Sequence, residues 1–425
     1  MRIERRTRAR AVLLAAALLT VAAGAMAVED PDPDFTLDNT VQAGPFHLAP
    51  FFIVKDFGYD DNVRLGASRR FGDYTVTLGP GARAVVPFGR RAALAVWDEI
   101  DYAVFARESD LNHVNNSLKT KLHVYLREVT LFADGQQDSF RERPNTEIDF
   151  RIRTTTTQGR LGLSWHPSTR SRFDLYGART GFAYHAGKPE VAGGGEVGSP
   201  GLGGDIADTL QREETALGLD SRLRIRPRTT LLIEARAGRI DFRQTFPNRD
   251  SSSSSIVGGL EFDPTGSVRG FVKLGYKKLD PDRRSLDSSL RPYEGFSGMI
   301  ADASVSARLL GRGEIRAAYQ RNTGFSVLGN NLYYLQDLRA AAYEHYFNSR
   351  ISVEAGRKLE KVKLPVMIDS KIRLDHLTTD TVAVRYRFGP SLRIGLAAAR
   401  WRRDSTFDFD DTARTTISTL LEYTP

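Results

Sequence analysis

Cationic side chains spaced two residues apart are the strongest candidates for chemistry in this sequence. Because successive side chains of an extended strand point to opposite faces, this spacing collects the cations on one face. Such a face binds anions or polar solutes, and it has no nucleophile of its own. The candidates for setting ion or sugar selectivity, with two acids that would face them, are Arg269, Lys273, Lys277, Arg385, Arg387, Arg393, Glu99 and Asp101. The alternative is that these charges only solvate one another.

Motifs for catalysis and metal binding are missing or incomplete. No G-x-S-x-G marks a nucleophile, and the seven histidines form neither an HExxH nor a close pair. The Gly187–Asp208 segment is rich in glycine but lacks the Gly-Lys-Ser/Thr of a phosphate-binding loop, so we expect a flexible loop or a pore constriction. Asp408, Asp410 and Asp411 either hold calcium or form an ordinary solvated loop, since the glycine and distal glutamate of the known calcium loop are missing. We therefore predict no catalytic residue, metal or cofactor.

The first 27 residues have the composition of a secretory signal peptide. Five arginines within the first ten positions precede an uncharged run of 17 residues, Ala11 to Ala27, which ends in the small-residue pattern Ala25-Met26-Ala27. The run is too short and too rich in small residues to favour a membrane-spanning helix, so an uncleaved anchor is the lesser alternative. We expect residues 1–27 to be removed on export.

Charge and cysteine content restrict the class of protein further. The chain has 60 Lys and Arg against 52 Asp and Glu, and without the signal peptide 55 bases face 51 acids, a net charge of +4. This near balance gives little support to nucleic-acid binding. The chain has no cysteine, so disulfides do not stabilise it. No apolar stretch after the signal approaches 18 residues, which excludes helical membrane spans.

Two kinds of break separate the alternating segments. Short breaks pair an aromatic residue with a nearby proline, as at Trp165–Pro167, Phe262–Pro264 and Phe388–Pro390, and recur about every forty residues. The return connections are long and polar, most clearly at residues 58–70 and 280–295. Short turns at one end and long loops at the other are typical of outer-membrane barrels.

The fold predicted from this layout is all-β. We expect a closed transmembrane antiparallel up-and-down β-barrel over residues 46–425, with about 18 strands (16–18), short periplasmic turns and long extracellular loops. Closure is required because an unpaired strand edge has no water to bond in hydrocarbon. Residues 28–45 would form a short periplasmic tail.

Aromatic residues next to the short turns predict the position of the membrane boundary. Trp165, Phe262, Phe347, Phe388 and Tyr423 would form an interface belt, and a sugar-stacking track is the alternative.

Two further arginines fall in the lipid-facing phase of their strand. Arg400 and Arg402 would be rim residues beside Trp401 that meet lipopolysaccharide phosphates, unless the alternation simply breaks there.

One stretch at the start of the mature chain carries a family resemblance. The sequence FHLAPFFIVKDFGYDDNV, residues 46–63, resembles a family of outer-membrane β-barrel porins associated with exopolysaccharide biosynthesis and export operons of Gram-negative bacteria. The YDDNV segment and the strand rhythm carry the likeness. One departure is that Thr424 and Pro425 follow Tyr423, where such barrels commonly end on an aromatic residue, so Tyr423 would serve the assembly machinery instead.

The resemblance implies a channel for exopolysaccharide export in the outer membrane, with no enzymatic activity. Its expected partners are outer-membrane lipid and lipopolysaccharide, a polysaccharide or small polar solute, a periplasmic polysaccharide-export protein and the barrel assembly machinery. The alternatives are a general or sugar-selective diffusion porin, an outer-membrane lipid-modifying enzyme, and a secreted soluble all-β carbohydrate-binding protein.

Overall fold

The computed structural model of the chain describes residues 35, 40–66, 69–143, 147, 151–185, 208–244, 247–262, 266–287, 289–309, 311–367, 371–389, 391–407 and 411–423. Nineteen strands lie in these ranges, together with a short 3-10 helix at Ser109–Leu111 and a short helical stretch at 208–210. The strands are β1 Val41–Ala43, β2 Phe46–Asp60, β3 Asp73–Phe88, β4 Ala92–Phe105, β5 His113–Tyr125, β6 Val129–Glu142, β7 Ile152–Ser168, β8 Ser171–His185, β9 Arg212–Arg226, β10 Thr229–Phe242, β11 Ser251–Phe262, β12 Val268–Pro281, β13 Phe296–Leu309, β14 Gly313–Phe325, β15 Tyr333–Tyr346, β16 Ile351–Lys363, β17 Leu374–Arg387, β18 Leu392–Ser405 and β19 Thr412–Tyr423.

Strands β2 to β19 form a closed antiparallel barrel of 18 strands, as predicted. Each strand pairs with the next along the chain, and β19 pairs with β2 from Thr416↔Asp60 to Tyr423↔Phe52. The short β1 forms a hairpin with β2 and pairs with its first three residues, beyond the end of β19. The backbone groups of the wall therefore bond within the cylinder, which is the condition for a sheet in hydrocarbon.

The connections are sorted by length. The eight turns at one end, where β3 meets β4 and so on round the barrel, have two to five residues, whereas the nine at the other end have six to 26. Short turns face the periplasm in barrels of this kind, so the long connections form the outer mouth.

The two faces of the wall differ as the alternation predicts. In the β17–β18 hairpin, Val384 pairs with Leu396 on the outer face, where their side chains are 45% and 55% exposed. Arg385 and Gly395 pair on the inner face. An outer wall of exposed apolar side chains suits lipid and does not suit the soluble alternative.

Packing within the barrel lies mainly at its outer end. One cluster of buried apolar residues, including Phe242, Leu279, Tyr293 and Leu332, joins strand ends to the long loops. Lower in the lumen, the Tyr176 ring lies over Gly218, where an added Cβ would come within 2.3 Å of the ring. Glycine at this position therefore makes room for the aromatic ring on the inner wall.

No helix in the described ranges is long and apolar enough to cross a membrane.

Candidate functional site

The structure places the predicted pore-lining residues on the inner wall, where most of them form ion pairs. Lys273 Nζ donates to Glu234 Oε1 at 2.6 Å, and Arg385 Nη1 lies 2.6 Å from Glu354 Oε2. Arg269 pairs with Glu314 across β12–β14. These pairs show charge solvation along the wall, and the role of the residues in selectivity stays a prediction.

Three other predicted pore-lining residues lie in the middle and outer parts of the lumen. Glu99 and Asp101 both accept hydrogen bonds from Lys55 on β2. Lys277 is held by uncharged oxygens, Asn322 Oδ1 at 3.2 Å and Thr323 Oγ1 at 2.9 Å.

Arg387 and Arg393 lie at the short-turn end of the lumen. They sit directly opposite each other on β17 and β18, and Arg393 is 3.5 Å from Glu422. Like charges in register repel, so this pair raises the positive potential near the short turns.

Glu147, in the connection between β6 and β7, makes a contact across the outer mouth. Its carboxylate accepts hydrogen bonds from Ser326 Oγ and Val327 N, both at 2.7 Å. Ser326 and Val327 follow β14, and eight strands separate the two connections one way round the barrel and ten the other. A contact between nearly opposite points of the rim must span the opening. We call the contact of Glu147 with Ser326 and Val327 the mouth clasp.

The Glu147 carboxylate is buried where it closes the mouth clasp. Burial raises its pKa, although the hydrogen bonds from Ser326 and Val327 and the nearby Arg373 and Arg249 act in the opposite direction. Burying a carboxylate costs free energy unless it accepts hydrogen bonds, so Glu147 stays buried only while Ser326 and Val327 donate to it, and the clasp has a defined closed geometry.

Arg249 organises the loops that surround the mouth clasp. This residue is fully buried in the β10–β11 connection and donates to the carbonyl oxygens of Thr209, Asn331 and Leu332 at 3.3, 3.0 and 2.9 Å. Its guanidinium lies 5.9 Å from the centre of the Tyr293 ring. One arginine thus ties four long connections together, and we call these five residues the loop cluster.

Acidic pH should lengthen the time for which the outer mouth stays closed. Because the pKa of Glu147 is higher in the closed mouth than in water, closing takes up a proton. The closed mouth is therefore most favoured below the ordinary glutamate pKa of about 4.3, and it loses this advantage as the pH rises from there through the raised pKa. Arg249, whose pKa burial lowers to about 10, keeps its charge throughout. Single-channel recordings should show longer closed times at acidic than at neutral pH, and E147Q should show no such change.

Beside the mouth clasp the lumen holds a cavity of about 470 Å³. It lies between the inner wall of β2 to β5, the start of β19 and the residues that flank the mouth clasp. Both signs of charge line it, with Lys55, Arg141, Arg143, Arg151 and Arg414 against Asp56, Asp60, Asp101 and Glu142. A cavity of this size and polarity admits a small polar solute while the clasp is closed.

Arginines surround the opposite, short-turn end of the barrel. Seven arginines and two acids, Glu128 and Asp263, occupy the eight short turns. All seven arginines are exposed, and no acid of the described residues lies within ion-pair distance of them. We call them the arginine ring: Arg90, Arg91, Arg127, Arg170, Arg228, Arg312 and Arg350. Their potential concentrates anions at this mouth.

The N-terminal tail reaches the lumen at one described residue. The ring of Phe35 lies 4.7 Å from that of His123, an inner-wall residue of β5 beside Phe132. Residues 28–45 were predicted as a periplasmic tail, and most of them lie outside the described residues.

Other residues singled out from the sequence lie at the strand ends and on the outer face of the barrel. Trp165, Phe262, Phe347, Phe388 and Tyr423 all lie at or near the short-turn ends of their strands, where contact with lipid headgroups stays a prediction. Arg400 and Arg402 are exposed on the outer face of β18. The Gly187–Asp208 loop, apart from Asp208, lies outside the described residues.

The acidic cluster near the C-terminus is only partly described. Asp408 and Asp410 lie outside the described residues, whereas Asp411 accepts a hydrogen bond from Ser405 N at 2.7 Å. Among described residues no three His, Asp or Glu come close enough to hold a metal ion.

Sequence reasoning missed the mouth clasp. It proposed a constriction only for the glycine-rich loop, whereas Glu147 belongs to a shorter connection. The available signal was the density of charge in residues 141–153, which contain four arginines and three acids around Ile148 and Phe150. Such density does not say which opposite loop the segment contacts.

Comparison with known proteins agrees with this architecture. The solved structure of the outer membrane protein opdK from Pseudomonas aeruginosa matches with a TM-score of 0.50 at 10% sequence identity, over 89% of this chain and 98% of that one. A BenF-like porin from Pseudomonas fluorescens Pf-5 gives a TM-score of 0.49 at 10% identity, over 89% and 98%. At such low identity the likeness to opdK concerns the fold alone. No protein with a curated description matches the chain.

The family is given by the sequence itself. Residues 40–422, most of the chain, match the profile of the family described as "Putative beta-barrel porin 2". Porins are channels rather than enzymes, and a barrel of this kind resides in the outer membrane. The chain therefore belongs to this family of β-barrel porins.

Proposed function

We propose that the barrel is a channel for acidic saccharides, and that its role in the cell is the export of an exopolysaccharide or its fragments. The arginine ring is the observation that carries this proposal. A polymer made inside the cell arrives from the periplasm, so the first surface it meets is the short-turn mouth. Five excess positive charges there favour a polyanion over a neutral glycan.

The mouth clasp adds a size limit to this proposal. With Glu147 bound to Ser326 and Val327, the clasp narrows the outer opening and a cavity of about 470 Å³ remains beside it. Short saccharides would pass beside the closed clasp, and a polymer would require the clasp to open. A general or sugar-selective diffusion porin is the second candidate, and it would treat acidic and neutral sugars of one size alike.

Planar-bilayer recording of the purified mature protein separates the two candidates. A trimer of a uronic acid and a neutral trisaccharide are added in turn to the short-turn side. We expect the acidic trimer to interrupt the current at about tenfold lower concentration in 0.1 M salt, and the difference to shrink in 1 M salt, where charge is screened within about 3 Å. Equal effects of the two sugars would reject the acidic-saccharide proposal.

Export itself requires a test in cells that secrete polymer. Cells that lack the protein should secrete less polymer. Adding back the protein should restore secretion only if its arginine ring is intact. Residues 28–45 hold five acids and no base, and we propose that they contact a periplasmic export protein. Unchanged secretion after their deletion would count against this contact.

A further inference from the structure

A second cluster of arginines lies on the outside of the barrel, away from the lumen. On the outer face of β16 to β18, Arg357 pairs in register with Asp380, and Asp380 pairs with Arg400. Arg402 lies two residues nearer the long-loop end on the same face. We call Arg357, Asp380, Arg400 and Arg402 the outer arginine patch.

The depth of the outer arginine patch follows from the geometry of the strand. Eight residues separate Arg400 from Leu392 at the start of β18, which at about 3.4 Å per residue and a tilt of about 40° corresponds to about 21 Å along the membrane normal. Arg402 lies at about 26 Å on the same scale, and the apolar band of such barrels is about 25 Å tall. The two guanidinium groups therefore reach the level of the outer-leaflet headgroups, because long side chains extend toward the interface.

Charge within the outer arginine patch is unbalanced. Arg357 Nε donates to Asp380 Oδ1 at 2.5 Å, and the two side chains are 63% and 43% exposed. Arg400 and Arg402 both face this same carboxylate, and neither forms an ion pair with another acid in the part of the chain that the structure describes. Three cations thus share one anion on a surface that meets lipid.

The opposite side of the barrel offers a contrast at similar depth. Arg179 lies six residues from the outer end of β8, as Arg357 does from the outer end of β16. Its Nη2 lies 2.6 Å from Glu213 Oε2, so this outward-facing arginine has an acid of its own. Unbalanced positive charge at headgroup level is therefore a property of the β16–β18 wall and not of every outward arginine.

We propose that the outer arginine patch is a binding site for the phosphates of a lipid A headgroup in the outer leaflet. Guanidinium groups match phosphate oxygens through paired N–H donors, and this pairing is strong where the surroundings are partly apolar. Asp380 holds Arg357 at one edge of the site, and Arg400 and Arg402 supply the donors. The site is independent of what passes through the lumen.

Lipid binding by the folded, full mature protein in detergent tests the proposal. Native mass spectrometry counts bound diphosphoryl lipid A, monophosphoryl lipid A and phosphatidylethanolamine. We expect wild type to bind diphosphoryl lipid A most tightly and R400Q/R402Q to bind it about tenfold more weakly. R179Q, which removes an outward arginine that already has a partner, should bind as wild type does. Inorganic phosphate at 10 mM should leave lipid A bound.

Several outcomes would reject the site. These are equal binding by wild type and R400Q/R402Q, an equal loss in R179Q, and displacement of lipid A by inorganic phosphate, which would show a site for free anions instead. D380N keeps all three arginines and removes the only acid of the patch, so it should bind lipid A more tightly than wild type. This variant keeps the proposal testable if R400Q/R402Q does not fold, and weaker binding by D380N would also reject it.

Discussion

Replacing Glu147 by alanine is expected to open the outer mouth of the barrel. The change leaves Ser326 Oγ and Val327 N without their acceptor, and each buried unpaired donor costs about 1–3 kcal/mol. Because alanine buries no charge, part of this cost is offset. The stability of the closed mouth relative to the open mouth should therefore fall by about 1.5–3 kcal/mol. At about 1.4 kcal/mol per tenfold, the ratio of closed to open mouths should fall by about tenfold to a hundredfold.

Single-channel recording measures this effect directly. Wild type should spend most of its time at the lower conductance set by the cavity beside the mouth clasp, and E147A should spend most of its time at a higher conductance. R249M, which keeps the bulk of Arg249 but removes its donors to Thr209, Asn331 and Leu332, should act in the same direction. The two changes affect one loop assembly, so their combination should add little.

Two variants serve as controls for the clasp. Asp280 is an exposed acid at the end of β12 that pairs only with Lys278 among described residues, so D280A removes one outer charge without affecting the clasp. E147Q retains one carbonyl acceptor and should fall between wild type and E147A. The role of the mouth clasp would be rejected if single-channel currents of E147A matched those of wild type, or if D280A opened the mouth as often as E147A does.

The second large effect is expected from reversing charge on the arginine ring. Replacing Arg90, Arg91, Arg127 and Arg170 by glutamate changes the charge of the short-turn mouth by eight units. The mouth should then repel anions, and the reversal potential in a potassium chloride gradient should change sign from anion-selective to cation-selective. Because the Debye length falls from about 10 Å at 0.1 M to about 3 Å at 1 M salt, the change should be largest in dilute salt.

A matched variant at the other end of the barrel isolates the position of the charge. Arg69, Arg70, Arg283 and Arg284 are exposed arginines of the long connections, and their replacement by glutamate changes the net charge equally. This variant should alter entry of an acidic saccharide added on the long-loop side and leave entry from the short-turn side nearly unchanged. If both quadruple variants changed both sides alike, overall charge and not the ring would govern selectivity.

Much of the wall was predictable from the sequence because strand geometry repeats. The period of two assigned Val384 to the outer face and Arg385 to the inner face, and both assignments are confirmed by the register of β17 and β18. The strand number also followed, since each short break marked one hairpin. The same period of two placed Arg400 on the outer face, although this assignment turns a charged side chain toward lipid.

The outer mouth was not predictable by the same means. Contacts such as Glu147 with Ser326 join residues 179 positions apart through irregular loops, where no period relates sequence to direction. The ion partners of inward charges were equally hidden, because Lys273 contacts Glu234 across two strand pairings whose register the sequence leaves open. Burial of Arg249 depends on four connections meeting, which no local pattern encodes.

Closure between β19 and β2 has a consequence for how the protein must be made. This junction joins residues about 360 positions apart, contains one register shift, and is tied at its outer end by Arg414 with Asp60 and by Asn62 with the Ala413 carbonyl. A chain that lacked β19 would expose two unpaired strand edges to hydrocarbon, where their backbone amides have no hydrogen-bond partners. The barrel can therefore close only after β19, its last strand, has been synthesised. Insertion depends on this final strand, which decides whether the chain forms a closed barrel or aggregates.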